Sequence, residues 1–135
     1  MKKELIINND LMEIHKVTDF IAEIGETLRL RHDVVTKVNL AIEEAVVNII
    51  RYAYPPPEKN EISLYASFTN KELTFLLTDS GIPFDPTKFD DVDVTLSIEE
   101  RQVGGLGIML IRKIMNEVTY NRIDGENRLI LKRKL

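Results

Sequence analysis

Apolar and polar residues alternate along the chain with periods that change from segment to segment, and those periods predict its elements. Leu5 to Ile7 form a short apolar run closed by Asn8, Asn9 and Asp10, a strand followed by turn or cap residues with Asp10 placed to open a helix. From Leu11 the apolar positions Leu11, Ile14, Val17, Ile21, Ile24 and Leu28 recur three and four apart, one stripe of a helix reaching about Leu30. Asp33 is placed to cap a second helix, which runs to about Ala53, where Tyr54 and three prolines at 55 to 57 stop it. Its core face is Val35, Val38, Ile42, Ala45, Val46, Ile49 and Ala53. Ile62, Leu64, Ala66 and Phe68 then alternate, Asn70-Lys71 forms a turn, and Leu73 to Leu77 continue, so residues 61 to 78 predict an antiparallel hairpin ending at Asp79. Residues 80 to 104 are poor in apolar positions and carry Asp90, Asp91 and Asp93, a long loop of the kind that serves as a lid. A third helix follows through Ile108, Ile111, Ile114 and Met115, and Val118 to Ile123 with Arg128 to Leu131 make a closing hairpin around Asp124-Gly125. The order β, α, α, β, β, lid, α, β, β predicts an α+β two-layer α/β sandwich: a mixed, mostly antiparallel sheet with helices on one face.

Length and composition narrow this picture. With 135 residues, 44% of them hydrophobic, and no repeat or linker, the sequence predicts a single domain over 1–135 with a core large enough to need no staples. The absence of Cys removes thiolate zinc sites, redox pairs and cysteine nucleophiles, and fits a cytoplasmic setting. A formal net charge of -4 argues against direct nucleic-acid binding, and no apolar run is long enough for a membrane span. Lys132, Arg133 and Lys134 read as a solvated strand edge, and His15 and His32 as ordinary surface or boundary residues.

Three constellations remain as candidate chemistry. On the second helix, at about 100° per residue, Asn48 lies roughly 40° from Glu44 and Arg51 roughly 20° the other way, while Glu43 points elsewhere. A carboxylate, an amide oxygen and a guanidinium on one stripe suit a general base, a hard-cation ligand and a phosphate contact; the same stripe also reads as a solvated face with Glu and Arg paired. Asn in a helix interior nevertheless asks for a reason. Second, the strand end at Thr78-Asp79-Ser80-Gly81 delivers a carboxylate that can accept from an exocyclic amine such as that of adenine, with Gly81 letting backbone approach; an Asx turn is the alternative. Third, Gly104-Gly105-Leu106-Gly107 opens a helix and frees N–H groups for phosphate. The dinucleotide fingerprint fails there, because its third glycine would be Leu110 and no buried parallel strand precedes it. No P-loop is present.

In this order the three constellations resemble the histidine-kinase-like (GHKL) ATPases, the superfamily of gyrase, heat-shock chaperone, histidine kinase and mismatch-repair ATPases, and within it the bacterial anti-sigma factor serine kinases of stress response and sporulation. The resemblance rests on Glu44-Ala45-Val46-Val47-Asn48, Asp79-Ser80-Gly81 and Gly104-Gly105-Leu106-Gly107-Ile108, with GGLGIMLIRKIMNEV especially close to the kinase subgroup. It implies a Bergerat-type ATP-binding fold, ATP and Mg2+, Glu44 as general base, Asn48 on the metal, Asp79 with Gly81 on adenine, and Arg51, Gly104, Gly105, Leu106 and Gly107 around the phosphates under a lid at 82 to 104. One departure is Pro83, where the wider superfamily often has a second glycine and the kinase subgroup commonly does not. The implied activity is ATP-dependent serine/threonine phosphorylation of a small anti-sigma factor antagonist by a homodimer that also sequesters a sigma factor. A nucleotide-gated protein-binding switch with little transfer is the alternative.

Overall fold

A computed structural model of the chain describes residues 1–54, 58–88 and 105–135. Five strands form one open sheet: β1 (Lys2–Asn8), β2 (Glu61–Thr69), β3 (Glu72–Asp79), β4 (Glu117–Ile123) and β5 (Glu126–Lys134), in the order β1-β2-β3-β5-β4. Every pairing is antiparallel, so the expected mixed sheet is corrected to an antiparallel one among the described residues. The physical reason is local: two of the four pairings are hairpins closed by two-residue turns. Asn70 and Lys71 have φ of 53° and 60°, Asp124 and Gly125 of 51° and 75°, the left-handed pairs whose twist matches that of the strands they join.

Three helices, α1 (Ile14–Leu28), α2 (His32–Tyr52) and α3 (Gly105–Ile114), cover one face. Alternation in the strands turns Ile62, Leu64, Leu73, Phe75, Leu77, Leu129 and Leu131 inward, where they meet Ile21 and Ile24 of α1, Val38, Ile42 and Val46 of α2 and Ile111 of α3 in a single core. The two layers and the order of helices and strands are those the sequence predicts.

The helix ends differ in instructive ways. Asp10 does open a helical segment: its side chain accepts from Met12 N at 2.9 Å, first for a 3-10 turn at Leu11–Glu13 that runs into α1. α1 stops at Leu28, because Arg29 takes a left-handed conformation and Leu30 N bonds Gly25 O at 2.9 Å, closing the helix short of Leu30. Only Arg29, Leu30 and Arg31 separate the helices, so α2 starts at His32 with Arg31 as its cap residue. Asp33 is therefore not the cap; it lies in the first turn, where its charge suits the positive end of the helix. The basic run at 132 to 134 is likewise not an edge, since β5 lies between β3 and β4. Lys132 pairs with Glu117 at 3.6 Å on the helix-free face, and Arg133 Nη1 donates to Ile114 O at 2.6 Å, satisfying a carbonyl at the end of α3.

The α1–α2 pair is close at Gly25, where an added Cβ would stand 2.6 Å from Cγ2 of Val35, a stiff side chain. Helix propensity alone favours Ala over Gly by up to about 1 kcal/mol, whereas forcing a methyl into a packed contact costs about 1–3 kcal/mol. Gly25→Ala is expected to lower stability in urea denaturation, and adding Val35→Ala, which clears the contact, to recover part of the loss. A Gly25→Ala protein more stable than the parent would show that the two helices do not depend on this contact.

Candidate functional site

α2 carries the first constellation. Its core positions Ala41, Ile42, Ala45, Val46 and Ile49 pack inward, and Asn48 lies just off that stripe, only 5% exposed. Its Nδ2 is buried without a hydrogen-bond partner, a situation that costs about 1–3 kcal/mol when nothing relieves it. Glu44, one turn earlier, is half-buried. The first turn of α3 sits over both: a Cβ added to Gly107 would stand 2.6 Å from Glu44 Oε2 and 3.7 Å from Asn48 Nδ2. The third constellation thus meets the first through a residue with no side chain, at a helix end whose leading N–H groups lack intrahelical partners. Gly105 and Leu106 are the first two residues of α3, and Gly104 and the segment 89–104, most of the expected lid, lie outside the described residues.

Glu43 belongs elsewhere, as its spacing predicts. It accepts from Thr18 Oγ1 of α1 and, at 3.1 Å, from Asn39 Nδ2, so it ties the helices together. Arg51 is exposed on the last turn of α2. Among the described residues Glu44 and Arg51 form no ion pair, so the pairing that would make the stripe an ordinary solvated face is not made.

Asp79 ends β3 on the inward face, 4% exposed. Its Oδ1 accepts from Gly81 N and from Asn127 Nδ2, each at 2.9 Å. The Asx turn and the buried carboxylate are one arrangement, since the turn bond is one of two that hold the acid. The chain then crosses the end of α2: Ile82 N donates to Ala53 O at 2.8 Å and Ser80 N to Tyr54 Oη at 3.0 Å. A Cβ on Gly81 would come within 2.3 Å of Ala53 O, so no larger residue fits this crossing without shifting backbone. Burial pushes the Asp79 carboxyl above the usual carboxylate range, with Asn127, Gly81 and Arg122 pulling it part of the way back. Burial, and next the Asp79 charge, push the Tyr54 phenol up to about 12, which keeps it protonated.

A family model described as the histidine kinase-like ATPase domain matches residues 7–133. The chain belongs to this family. Among its relatives, the serine/threonine-protein kinase BtrW of Bordetella bronchiseptica is 33% identical over 94 residues, 70% of this chain and 66% of the relative. The serine-protein kinase RsbW of Staphylococcus aureus is 31% identical over 101 residues, 70% of this chain and 62% of the relative. The matches therefore span slightly less than two thirds of either relative's length. The RsbU and RsbW domains of Rv1364c from Mycobacterium tuberculosis share the fold with a TM-score of 0.68 at 15% identity, over 98% of this chain and 32% of that one. A blue-light activated histidine kinase domain from Erythrobacter litoralis does so with a TM-score of 0.57 at 15% identity, over 92% of this chain and 60% of that one. No helix among the described residues is long and apolar enough to cross a membrane.

Beyond the histidine kinase-like ATPase motifs, the structure adds residues that sequence reasoning passed over. Asn127 of β5 is the register partner of Asp79 and is itself buried. Tyr120 donates to Asn127 Oδ1, and Arg122 Nη1 donates to Gly81 O at 2.7 Å. Phe84 stacks on Tyr52 with ring centroids 5.4 Å apart, and Arg112 Nη2 donates to Thr87 O at 2.7 Å, tying the start of the loop to α2 and α3. One signal for Asn127 was available: in the alternation Asn127, Leu129, Leu131 a polar residue falls on the core face.

The raised pKa of Asp79 fixes a sign. Between the ordinary carboxylate pKa and the higher folded-state value the folded chain holds a proton that the unfolded chain has lost, so this group's contribution to stability falls as pH rises through that interval. Asp79→Asn can keep both hydrogen bonds through its amide oxygen while removing the desolvated charge. Near neutral pH the variant is expected to be at least as stable as the parent in urea, with the gap closing on acidification. A variant clearly less stable at neutral pH would mean that the charge itself holds the strand end together.

Proposed function

We propose that the chain is an ATP-dependent protein serine/threonine kinase, with Glu44 as the base, Asn48 and Arg51 at the triphosphate, and Asp79 at adenine. The observation that carries this reading is the seating of Gly107 over Glu44 beside the buried amide of Asn48, whose nitrogen has no partner in the protein, so that a carboxylate, a side-chain amide and a helix N-terminus meet at one point. The donor set fits Mg2+, because an amide oxygen beside a carboxylate and phosphate oxygens is the hard environment this ion takes. When bound, Mg2+ supplies charge neutralisation on the transferred phosphoryl group.

The chain's own residues supply the rest. Asp79 accepts from the exocyclic amine of adenine, which fixes one end of the nucleotide. Gly105, Leu106 and Gly107, with Gly104 before them, offer backbone N–H groups to the phosphates, and Arg51 adds a cation from the last turn of α2. Glu44 takes the proton of the attacking hydroxyl as its oxygen bonds to the γ-phosphorus and the bond from that phosphorus to the bridging oxygen breaks, leaving ADP. The half-buried position of Glu44 beside α3 supports this role, since a base must reach the reacting oxygen while water is kept away.

The partners proposed are a small anti-sigma factor antagonist as phosphate acceptor, a sigma factor as the protein sequestered, and a second copy of the chain in a homodimer. They rest on the resemblance to anti-sigma kinases and on the relatives named serine-protein kinase RsbW. A cytoplasmic location, without direct nucleic-acid contact, accords with the missing Cys residues and the net charge of -4.

Two measurements test the reading. In calorimetric titration with ATP, Mg2+ is expected to strengthen binding in the parent and not in Asn48→Ala, while Asp79→Asn weakens binding by about 1–3 kcal/mol through a badly paired amine. In a transfer assay with an antagonist domain, Glu44→Gln is expected to lose on the order of a hundredfold or more in rate while keeping Mg2+-ATP affinity. Unchanged transfer would remove Glu44 as the base, and ATP binding with no transfer in the parent would favour the nucleotide-gated switch.

A further inference from the structure

The buried amide of Asn127 stands behind Asp79 and has no place in the chemistry above. It donates through Nδ2 to Asp79 Oδ1 and to Ile82 O, each at 2.9 Å, and its Oδ1 accepts from Tyr120 Oη and, at 3.4 Å, from Phe84 N. Those are two donors and two acceptor sites, the whole capacity of a carboxamide. Two of the partners also fix which way the amide points. Ile82 O can only accept and Phe84 N can only donate, so the nitrogen must face Asp79 and the oxygen must face the Phe84 and Tyr120 side. Asn127 has nothing left with which to bind a nucleotide directly; whatever it does there, it does through Asp79.

From this geometry we propose that Asn127 is a positioning residue for base selection: it saturates Oδ1 of Asp79, holds the group as a carboxylate, and leaves Oδ2 as a pure acceptor that accepts an exocyclic amine and repels an exocyclic carbonyl. Oδ1 already takes Gly81 N, so with Asn127 it is full, and Oδ2 has no protein partner among the described residues. An ionised carboxylate has no hydrogen to give. A purine with an amine at that position is bound, whereas one with a carbonyl sets lone pairs against lone pairs. Were Asp79 protonated, it could donate to the carbonyl and the discrimination would vanish. Burial, and to a smaller extent the Glu126 charge, favour that protonated form, and the Asn127 hydrogen bond, with Gly81 N and the Arg122 charge behind it, opposes it. Tyr120 and the backbone at Ile82 and Phe84 keep the amide from turning over, so the selection depends on a tether that begins on β4.

The inference rests on the reading of Asp79 as the adenine contact. The experiment is calorimetric titration of the full chain with ADP and with GDP, each with Mg2+, across a pH series, for the parent, Asn127→Asp and Tyr120→Phe, with folding of each checked by circular dichroism. The parent is expected to prefer ADP. Asn127→Asp, equal in size, sets an acceptor where the donor stood, so its ADP affinity is expected to fall by about tenfold or more near neutral pH. It should recover as acid supplies one proton for the two facing carboxyls, a pH profile that the parent lacks. Its ADP-to-GDP ratio should shrink as well. Tyr120→Phe, which leaves Asn127 in place with one tether fewer, is expected to reduce the ratio by about two- to fivefold, a smaller loss in the same direction, and it decides the matter if Asn127→Asp does not fold. A parent that prefers ADP, with folded variants that keep its ratio and its pH profile, overturns the role of Asn127 alone. A parent with no preference for ADP overturns the reading of Asp79, and this inference with it.

Discussion

Burying the Asp79 carboxylate costs free energy that hydrogen bonds must offset, and the groups that offset it come from widely separated parts of the chain. Gly81 N is two residues away, Asn127 Nδ2 comes from the neighbouring strand, and Arg122 of β4 reaches the backbone at Gly81. The end of α2 takes part through Ala53 O and Tyr54 Oη, which receive the N–H groups of Ile82 and Ser80. One acid therefore requires β3, β5, β4 and the C-terminus of α2 to meet at a single place. It also sets the distance between Asp79 and the polar stripe of α2, because the helix that ends against Gly81 is the one that carries Glu44 and Asn48.

The same helix explains why the second end of the site is built without a side chain. α3 must come close enough to α2 to bury Ile108, Ile111 and Ile114 in the common core. The residue facing Glu44 there is Gly107, whose missing side chain leaves the Glu44 carboxylate in place. A larger residue would meet the tip of Glu44 and displace it, a small change in stability and a large one in geometry. Gly107 thus keeps the first turn of α3 open to the polar stripe of α2.

Much of this architecture is legible in the sequence, for reasons that are local. The periods of three to four and of two locate the helices and hairpins, and Asn70-Lys71 and Asp124-Gly125 mark the turns that make the sheet antiparallel. The stripe of Glu44, Asn48 and Arg51 follows from helix geometry alone, and so does the separation of Glu43, which the structure finds bonded to Thr18 and Asn39. What sequence reasoning missed depends on neighbours distant in the chain. Asp33 has the chemistry of a cap, but the left-handed Arg29 had already turned the chain, leaving Arg31 in the cap position. The basic run at 132 to 134 reads as an edge only while β4 is unplaced; with β4 beside it, Lys132 finds Glu117 and Arg133 finds the end of α3. Asn127 is invisible as a site residue until β5 is set in register against β3, 48 residues away from Asp79 in sequence.

These two ends of the site differ in how their polar groups are satisfied, and the difference bears on how such a site works. At Asp79 both positions on Oδ1 are filled by the protein, which leaves Oδ2 as a fixed, preformed acceptor. At Asn48 the amide nitrogen is buried and unpartnered, and the residue one turn earlier, Glu44, is in no ion pair among the described residues. A satisfied network binds with little rearrangement, whereas an unsatisfied one gains when a ligand arrives to complete it. Under the proposed function, the Asp79 end is thus built to select a base, and the Asn48 end to change state when phosphates bind. α2 joins the two rigidly, with Tyr54 pinned at Ser80 and Ile49 and Val46 locked in the core between them. Under that reading, recognition at one end is held in fixed register with chemistry at the other, the condition for in-line transfer from a nucleotide gripped by its base.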